Sequence, residues 1–88
     1  ERRAAAERRA EVAPLRRAMQ KAEAEVEKLG KAIQKIDDAL ADPDIYVREA
    51  EKAKEYARQR GLLTKELSAA EDAWMAATEA YEEAASST

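Results

Sequence analysis

Residues 12–40 read VAPLRRAMQKAEAEVEKLGKAIQKIDDAL, and the fold follows from the spacing of their apolar side chains. These recur at alternating intervals of three and four residues: Val12, Leu15, Met19, Ala22, Val26, Leu29, Ile33, Ile36 and Leu40. A second series keeps the same intervals: Ala53, Tyr56, Arg60, Leu63, Leu67, Ala70, Trp74, Ala77, Tyr81 and Ala84. An average interval of 3.5 residues keeps one narrow stripe on one side of a helix, the seam of a coiled coil. The sequence predicts an all-α fold, an antiparallel two-helix coiled-coil hairpin.

A break separates the two series at residues 41–48, which read ADPDIYVR. Pro43 presets one backbone dihedral and the flanking aspartates offer side-chain caps, so this segment predicts a turn at the tip of the hairpin. Ile45 and Tyr46 are too apolar for a solvated loop. We therefore expect them to fold back over the end of the hairpin.

Pro14 sets the expected helix boundaries in the first half, because proline lacks an amide hydrogen and suits the first position of a helix. We predict a short N-terminal helix at about 2–12 and a long helix at about 14–40. One kinked helix through the proline is the alternative. The second long helix is predicted at about 48–84, and residues 85–88 are expected to fray.

The register of the hairpin follows from matching the two seams. In an antiparallel pair the numbers of facing residues have a nearly constant sum. A sum of 92–93 gives every large seam residue a partner, including the pairs Leu40–Ala53, Leu29–Leu63, Met19–Trp74 and Ala22–Ala70. The alternative is a slip by one heptad, which places Arg60 against Val26.

Composition bounds the function. The 88 residues make one small domain, 1–88, with 40% charged residues, 45% hydrophobic residues and a net charge of −3. No Cys and no His are present, which removes disulfides, thiolate chemistry and the usual zinc ligands. No apolar run approaches the ~20 residues of a membrane span. The chain begins at Glu1 with no signal peptide, so we expect a cytoplasmic piece of a longer protein.

Charge is distributed unevenly between the two ends of the chain. Residues 1–21 hold seven Arg or Lys against three Glu, and residues 66–88 hold six acidic residues and no base. Antiparallel folding lays these segments side by side, so each screens the other. Two interpretations of the N-terminal arginine pairs stay open. They contact phosphates, or they pair within the chain with Glu71, Glu79, Glu82 and Glu83.

A second basic group lies nearer the tip, off the seam and away from the acidic C-terminal segment. The candidate nucleic-acid contacts are Lys28, Lys31, Lys35, Arg48, Lys52, Lys54 and Arg58. Residues 28–65 carry nine bases and seven acids, so this is a mixed surface with basic spots. A dedicated nucleic-acid module usually has a strongly basic face, and the net charge of −3 argues against one. The alternative is a structural or protein-interaction coiled coil whose charges serve only its own register.

Catalytic chemistry finds no support in the sequence. Four aspartates, Asp37, Asp38, Asp42 and Asp44, cluster near the tip, but they lack the spacing of a calcium loop and turn or capping roles explain them better. Trp74 and Tyr81 lie on the seam, which favours a core role over a stacking platform for bases. No glycine-rich phosphate loop, nucleophile elbow or metal motif is present. We expect no enzyme activity, no metal and no small-molecule ligand in this segment.

The tip motif and the helices around it resemble a known family. Pro14 opens the first heptad series, Leu40-Ala41-Asp42-Pro43 is followed by Ile45-Tyr46, and Trp74 lies in the second series. In these features residues 10–84 resemble the C-terminal coiled-coil domain of F-type ATP-binding-cassette proteins, in particular the Uup branch. Two positions depart from the family pattern. Ala73 stands where relatives often have Arg before the Trp, and Ala77 stands where they have Leu, which puts any contact made by that Arg in doubt.

The resemblance implies a parent protein with two ATPase cassettes and no membrane span, which acts on ribosomes or, in the Uup branch, also binds DNA. The hairpin is then an accessory domain that assists DNA or ribosomal RNA binding. ATP and magnesium belong to the cassettes, whose motifs lie outside these 88 residues. The partners implied are nucleic acid and the cassettes themselves.

Overall fold

Nearly all of the residues described by the computed structural model, 2–86, are helical. Helix α1 spans Arg2–Leu40, the short helix α2 spans Asp44–Arg48, and helix α3 spans Ala50–Ser86. No strand occurs among these residues. The prediction of an all-α fold with two long helices is confirmed.

Pro14 lies inside α1 and does not end it. The predicted boundary between a short helix at 2–12 and a long one at 14–40 is therefore wrong, and one helix runs through the proline. A proline inside a helix removes one backbone hydrogen bond and crowds the carbonyl of the residue four positions earlier. The half-buried Val12 and Leu15 continue the apolar stripe across it, which favours an unbroken helix. The short helix of this fold is α2, at the tip.

Helix α3 begins and ends close to the predicted 48–84. Glu49 separates it from α2 with a non-helical backbone, at φ −135° and ψ 53°. The fraying expected at residues 85–88 is not seen at Ala85 and Ser86, which continue the helix. Ser87 and Thr88 lie outside the described residues.

Two compact units divide the described chain. The terminal unit combines residues 2–26 with 70–86, and the tip unit is residues 27–69. In each unit, the residue numbers on α3 fall as the numbers of the facing residues on α1 rise. The shared grooves and contacts that show this are Val12 with Ala85 and Ala22 with Ala70 in the terminal unit, and Asp37 with Arg60 and Leu40 with Ala53 in the tip unit. The helices are therefore antiparallel in both units.

An ion pair between the two long helices tests the register. Nε of Arg60 lies 2.6 Å from Oδ1 of Asp37, and Nη2 of Arg60 lies 3.3 Å from Oδ2. Asp37 is eleven residues beyond Val26, or about 16 Å along the helix, so Arg60 does not occupy the position that the one-heptad slip assigns to it. The groove shared by Leu40 and Ala53 fits the preferred register.

The seam assignment of Arg60 is wrong. Arg60 is exposed, and the neighbouring Gln59 is half-buried in its place. Burying an arginine without a partner is costly, whereas a partly exposed pair with Asp37 leaves both charges hydrated. The Arg60 guanidinium donates to the Asp37 carboxylate, which lowers the pKa of Asp37 and raises that of Arg60.

The core is thin and lies in the tip unit. Its buried side chains, each 5–7% exposed, are Leu29, Ile36, Ile45 and Ala53. The described seam residues of the terminal unit, including Met19 and Trp74, are half-buried. That burial is compatible with the predicted contact between the Met19 sulfur and the Trp74 ring, which stays a prediction. The tip unit is the better packed of the two.

The tip turn is held by its own polar groups. The Asp44 amide donates to Oδ1 of Asp42 at 3.0 Å, the contact that an aspartate makes with the backbone two residues later in a turn. Tyr46 donates its hydroxyl hydrogen to the Leu40 carbonyl at 2.9 Å. Ile45 is buried, as predicted, but the Tyr46 side chain stays 55% exposed and returns to the hairpin only through its hydroxyl.

Candidate nucleic-acid interface

The basic residues predicted to contact nucleic acid all lie in the tip unit and are all exposed. Helix α1 carries Lys28, Lys31 and Lys35 at intervals of three and four residues, so they share one side of the helix. Arg48 ends α2, and α3 carries the remaining three, Lys52, Lys54 and Arg58. The structure brings Arg48 and Lys52 to one surface cleft. The others are spread along the two long helices.

Four of these candidates are already in ion pairs with a glutamate one turn earlier on the chain. The pairs are Lys31–Glu27 at 3.2 Å, Lys52–Glu49 at 3.7 Å, Lys54–Glu51 at 3.3 Å and Arg58–Glu55 at 2.6 Å. A Glu three or four residues before a base is the favourable order on a helix. The sequence interpretation did not include these pairs, although their spacing is visible in the sequence.

Most of these ion pairs are weak and would compete little with the binding of a phosphate to the same base. The lysine side chains involved are 55–75% exposed, and exposed ion pairs typically contribute about 0–1 kcal/mol. Arg58 is the exception, because its Nε and Nη2 both reach the Glu55 carboxylate, at 2.9 and 2.6 Å. The hydrogen bonds that Arg58 and Gln59 donate to the Glu55 carboxylate lower the pKa of Glu55 to about 2. The bond to that carboxylate also raises the pKa of Arg58. Arg58 is therefore the least available of the seven predicted bases.

Three of the predicted bases form no ion pair with any described residue: Lys28, Lys35 and Arg48. Lys28 and Lys35 are seven residues apart on α1, so they point to nearly the same side and are separated by about 10.5 Å along the axis. A lysine with no carboxylate partner gives up fewer interactions when it binds a phosphate. These three residues best satisfy the requirement for unpaired off-seam bases.

The tip cleft itself is unsuited to phosphate. This open cleft of about 510 Å³ is lined by Arg48 and Lys52 but also by four carboxylates, Asp38, Asp42, Asp44 and Glu49. The Lys52 ammonium lies 5.9 Å from the centre of the Tyr56 ring in a cation–π arrangement. Because acidic groups outnumber bases there, a phosphate backbone is better placed along the outer side of α1 than inside the cleft.

The tip aspartates have local structural partners. Asp42 accepts a hydrogen bond from the Asp44 amide in the turn, Asp37 pairs with Arg60, and Oδ1 of Asp38 accepts a hydrogen bond from the Gln34 amide at 2.9 Å. Within residues 2–86, no group of three or more acidic side chains is placed to hold a metal ion. The Asp42 contact agrees with the turn role expected from the sequence, whereas Asp37 and Asp38 have partners on the long helices.

Pairing within the chain is one of the two interpretations of the N-terminal arginines. No ion pair joins residues 2–17 to Glu71, Glu79 or Glu82 in the described structure. Arg8, Arg9 and Arg16 instead line a groove of about 270 Å³ together with Ala5, Val12 and Ala85. Sequence reasoning missed this groove, because its two walls are separated by nearly the whole chain.

Comparison of the chain with protein-family models, with curated proteins and with solved structures finds no match. None of the helices in residues 2–86 combines the length and the apolar character needed to cross a bilayer. The site is therefore defined by its own geometry.

Proposed function

We propose that this chain is an accessory helical-hairpin domain that binds nucleic acid, either DNA or ribosomal RNA, within a cytoplasmic ATP-binding-cassette protein of the F type. The resemblance at residues 40–46, LADPDIY, supports the family, and the exposed bases of the tip unit support the binding role. In this proposal the domain itself is not an enzyme. ATP, magnesium and hydrolysis belong to the cassettes of the parent protein.

One observation carries the binding role: Lys28 and Lys35 share a side of α1 and have no ion-pair partner in the described structure. Two unpaired ammonium groups about 10.5 Å apart along one side of a helix can each contact a separate phosphate of a nucleic-acid backbone. Arg48 is unpaired too and its guanidinium suits phosphate oxygens, but it lines the acidic tip cleft, so the two lysines contribute more to the proposed binding. Such contacts position a backbone and do not read bases.

The second candidate function is a structural or protein-interaction coiled coil. It is favoured by the ion pairs of Lys31, Lys54 and Arg58, because charges that pair within their own helix serve helix stability. The net charge of −3 also opposes long-range attraction to a polyanion. This candidate predicts no measurable binding to nucleic acid.

A comparison of two charge-matched triple variants tests the proposal. Lys28→Glu/Lys35→Glu/Arg48→Glu reverses the unpaired bases, and Lys31→Glu/Lys54→Glu/Arg58→Glu reverses three paired ones. Fluorescence anisotropy with a labelled DNA duplex and with a labelled ribosomal RNA fragment measures the dissociation constant. The first variant is expected to weaken binding about tenfold or more, and the second by clearly less, although both change the net charge equally.

Two results would overturn this account. If the wild-type chain binds neither probe at low salt, the structural coiled coil is the better description. If both variants weaken binding equally, net charge and not the unpaired bases determines the affinity. Circular dichroism of each variant confirms that the helices are retained.

A further inference from the structure

The terminal unit has a basic groove for which the proposed function has no use. Arg8, Arg9 and Arg16 line it, and its other lining residues, Ala5, Val12 and Ala85, are apolar. Among residues 2–86 no carboxylate lines this groove, in contrast to the tip cleft. The groove therefore combines an apolar surface with three guanidinium groups.

Within residues 2–86, Arg8, Arg9 and Arg16 form no ion pair, although the same unit holds acidic residues. Asp72 and Glu79 on α3 also form no ion pair with a described residue. These charges are complementary in sign, but they are not paired with one another in the described structure.

The acidic counterpart lies on the opposite side of α3 from its seam. Asp72 and Glu79 are rotated by about 180–200° from the seam residue Ala70 at 100° per residue, so they face away from α1. Met75 lies between them and is 57% exposed, one of the most exposed large apolar side chains in the described structure. Asp72, Met75 and Glu79, here called the acidic ridge, form an apolar knob flanked by two carboxylates.

The groove and the acidic ridge have the same spacing. Arg9 and Arg16 lie three residues before and four residues after Val12, and Asp72 and Glu79 lie three before and four after Met75. In each set the charges are seven residues apart, about 10.5 Å along the helix. If the two helices lie parallel, each arginine can face a carboxylate while Val12 faces Met75. If they lie antiparallel, the same positions are offset by one residue.

We propose that the groove lined by Arg8, Arg9 and Arg16 receives the acidic ridge of a second copy of this chain, so that the terminal unit is a self-association surface. Met75 of one copy packs against the apolar lining at Val12. Asp72 and Glu79 of that copy pair with the arginines. This contact matches charges that the monomer leaves unmatched, and it removes Met75 from water. It is independent of nucleic-acid binding by the tip unit.

Light scattering on the full chain tests the proposal. At about 1 mM chain and about 0.01 M salt, where the Debye length is about 30 Å, the measured mass is expected to exceed 9.8 kDa and approach twice that value. At about 1 M salt it is expected to fall toward 9.8 kDa. Arg9→Glu/Arg16→Glu should raise the dissociation constant of the dimer about tenfold or more, as should Asp72→Arg/Glu79→Arg.

A charge swap distinguishes this contact from a general charge effect. An equimolar mixture of the two reversed variants is expected to associate again, because each supplies the complementary surface. Arg2→Glu/Arg3→Glu is the control, with the same change in charge outside the groove, and should leave association unchanged. Met75→Ser provides a second test if a reversed variant loses helix content by circular dichroism. Because Met75 is exposed, this substitution should leave the helices intact and still weaken association.

Three results would overturn the proposal. The first is a mass of 9.8 kDa at low salt for the wild-type chain. The second is a mixture of reversed variants that stays monomeric while each is folded. The third is a monomeric wild-type chain whose nucleic-acid binding is lost in Arg9→Glu/Arg16→Glu, which would assign the groove to phosphate. Retention of tip-unit binding in these variants would show that the two surfaces act separately.

Discussion

At the scale of single residues, burial separates side chains that the heptad pattern treats alike. Leu29 is 5% exposed in the tip unit, whereas Leu62 on α3 is 48% exposed. Leu67 belongs to the predicted seam but is only half-buried. The energetic contribution of a leucine in this fold therefore depends on its unit and its face as well as on its place in the series.

Leu29→Ala is expected to lower the free energy of unfolding by about 2–4 kcal/mol, because it removes a large side chain from a thin core. Leu62→Ala makes the same chemical change at a half-exposed site and should cost less than about 1 kcal/mol. Urea denaturation followed by circular dichroism measures both. Equal losses would mean that the core of the tip unit is wrongly placed.

At the scale of helices, glycine identifies a weak point in α3. Gly61 is exposed, and a β-carbon added there would meet no atom within 4 Å apart from its chain neighbours and the nearby backbone of its own helix. The residue lies beside Arg60, whose side chain contacts α1 through Asp37. Gly61 therefore lowers the local stability of α3, and no packing contact in the described structure requires a glycine at this position.

Gly61→Ala should raise the free energy of unfolding by about 0.5–1 kcal/mol, because alanine loses less conformational entropy in a helix. Thermal melting measures the gain, and hydrogen exchange of residues 58–64 locates it. A loss of stability would show that another chain or segment approaches this glycine closely.

The elements show how far sequence reasoning extends. Intervals of three and four residues predicted the two long helices and their antiparallel register, because both follow from helix periodicity. The same intervals could not choose between Arg60 and Gln59, since that choice depends on a partner, Asp37, on the other helix. Pro14 predicts a helix boundary that does not form. Helix α1 continues through the proline, and the half-buried Val12 and Leu15 continue the apolar stripe on either side of it.

The candidate site was only partly predictable. The exposure of all the tip bases followed from their off-seam positions, and the pairing of Lys31 with Glu27 was visible as a spacing of four. The groove at Arg9 was not visible, because Ala85 reaches it only after the chain has folded back. Contacts within one turn can be derived from sequence, and contacts between distant segments need the fold.

At the scale of the whole molecule, the central claim is that a chain of net charge −3 binds nucleic acid through a few unpaired bases of its tip unit. The number of unpaired bases determines how strongly the affinity for nucleic acid depends on salt. Each phosphate neutralised contributes about −0.9 to the slope of log affinity against log salt on duplex DNA. Contacts from Lys28, Lys35 and Arg48 alone should therefore produce a shallow slope.

The most direct test is the affinity of the full chain for duplex DNA measured across a series of salt concentrations. Two or three phosphate contacts predict a linear plot with a slope of about −2 to −3, reduced by about one for each base removed. A slope near zero, or no binding at the lowest salt, would contradict the claim and leave the hairpin as a structural or protein-interaction element.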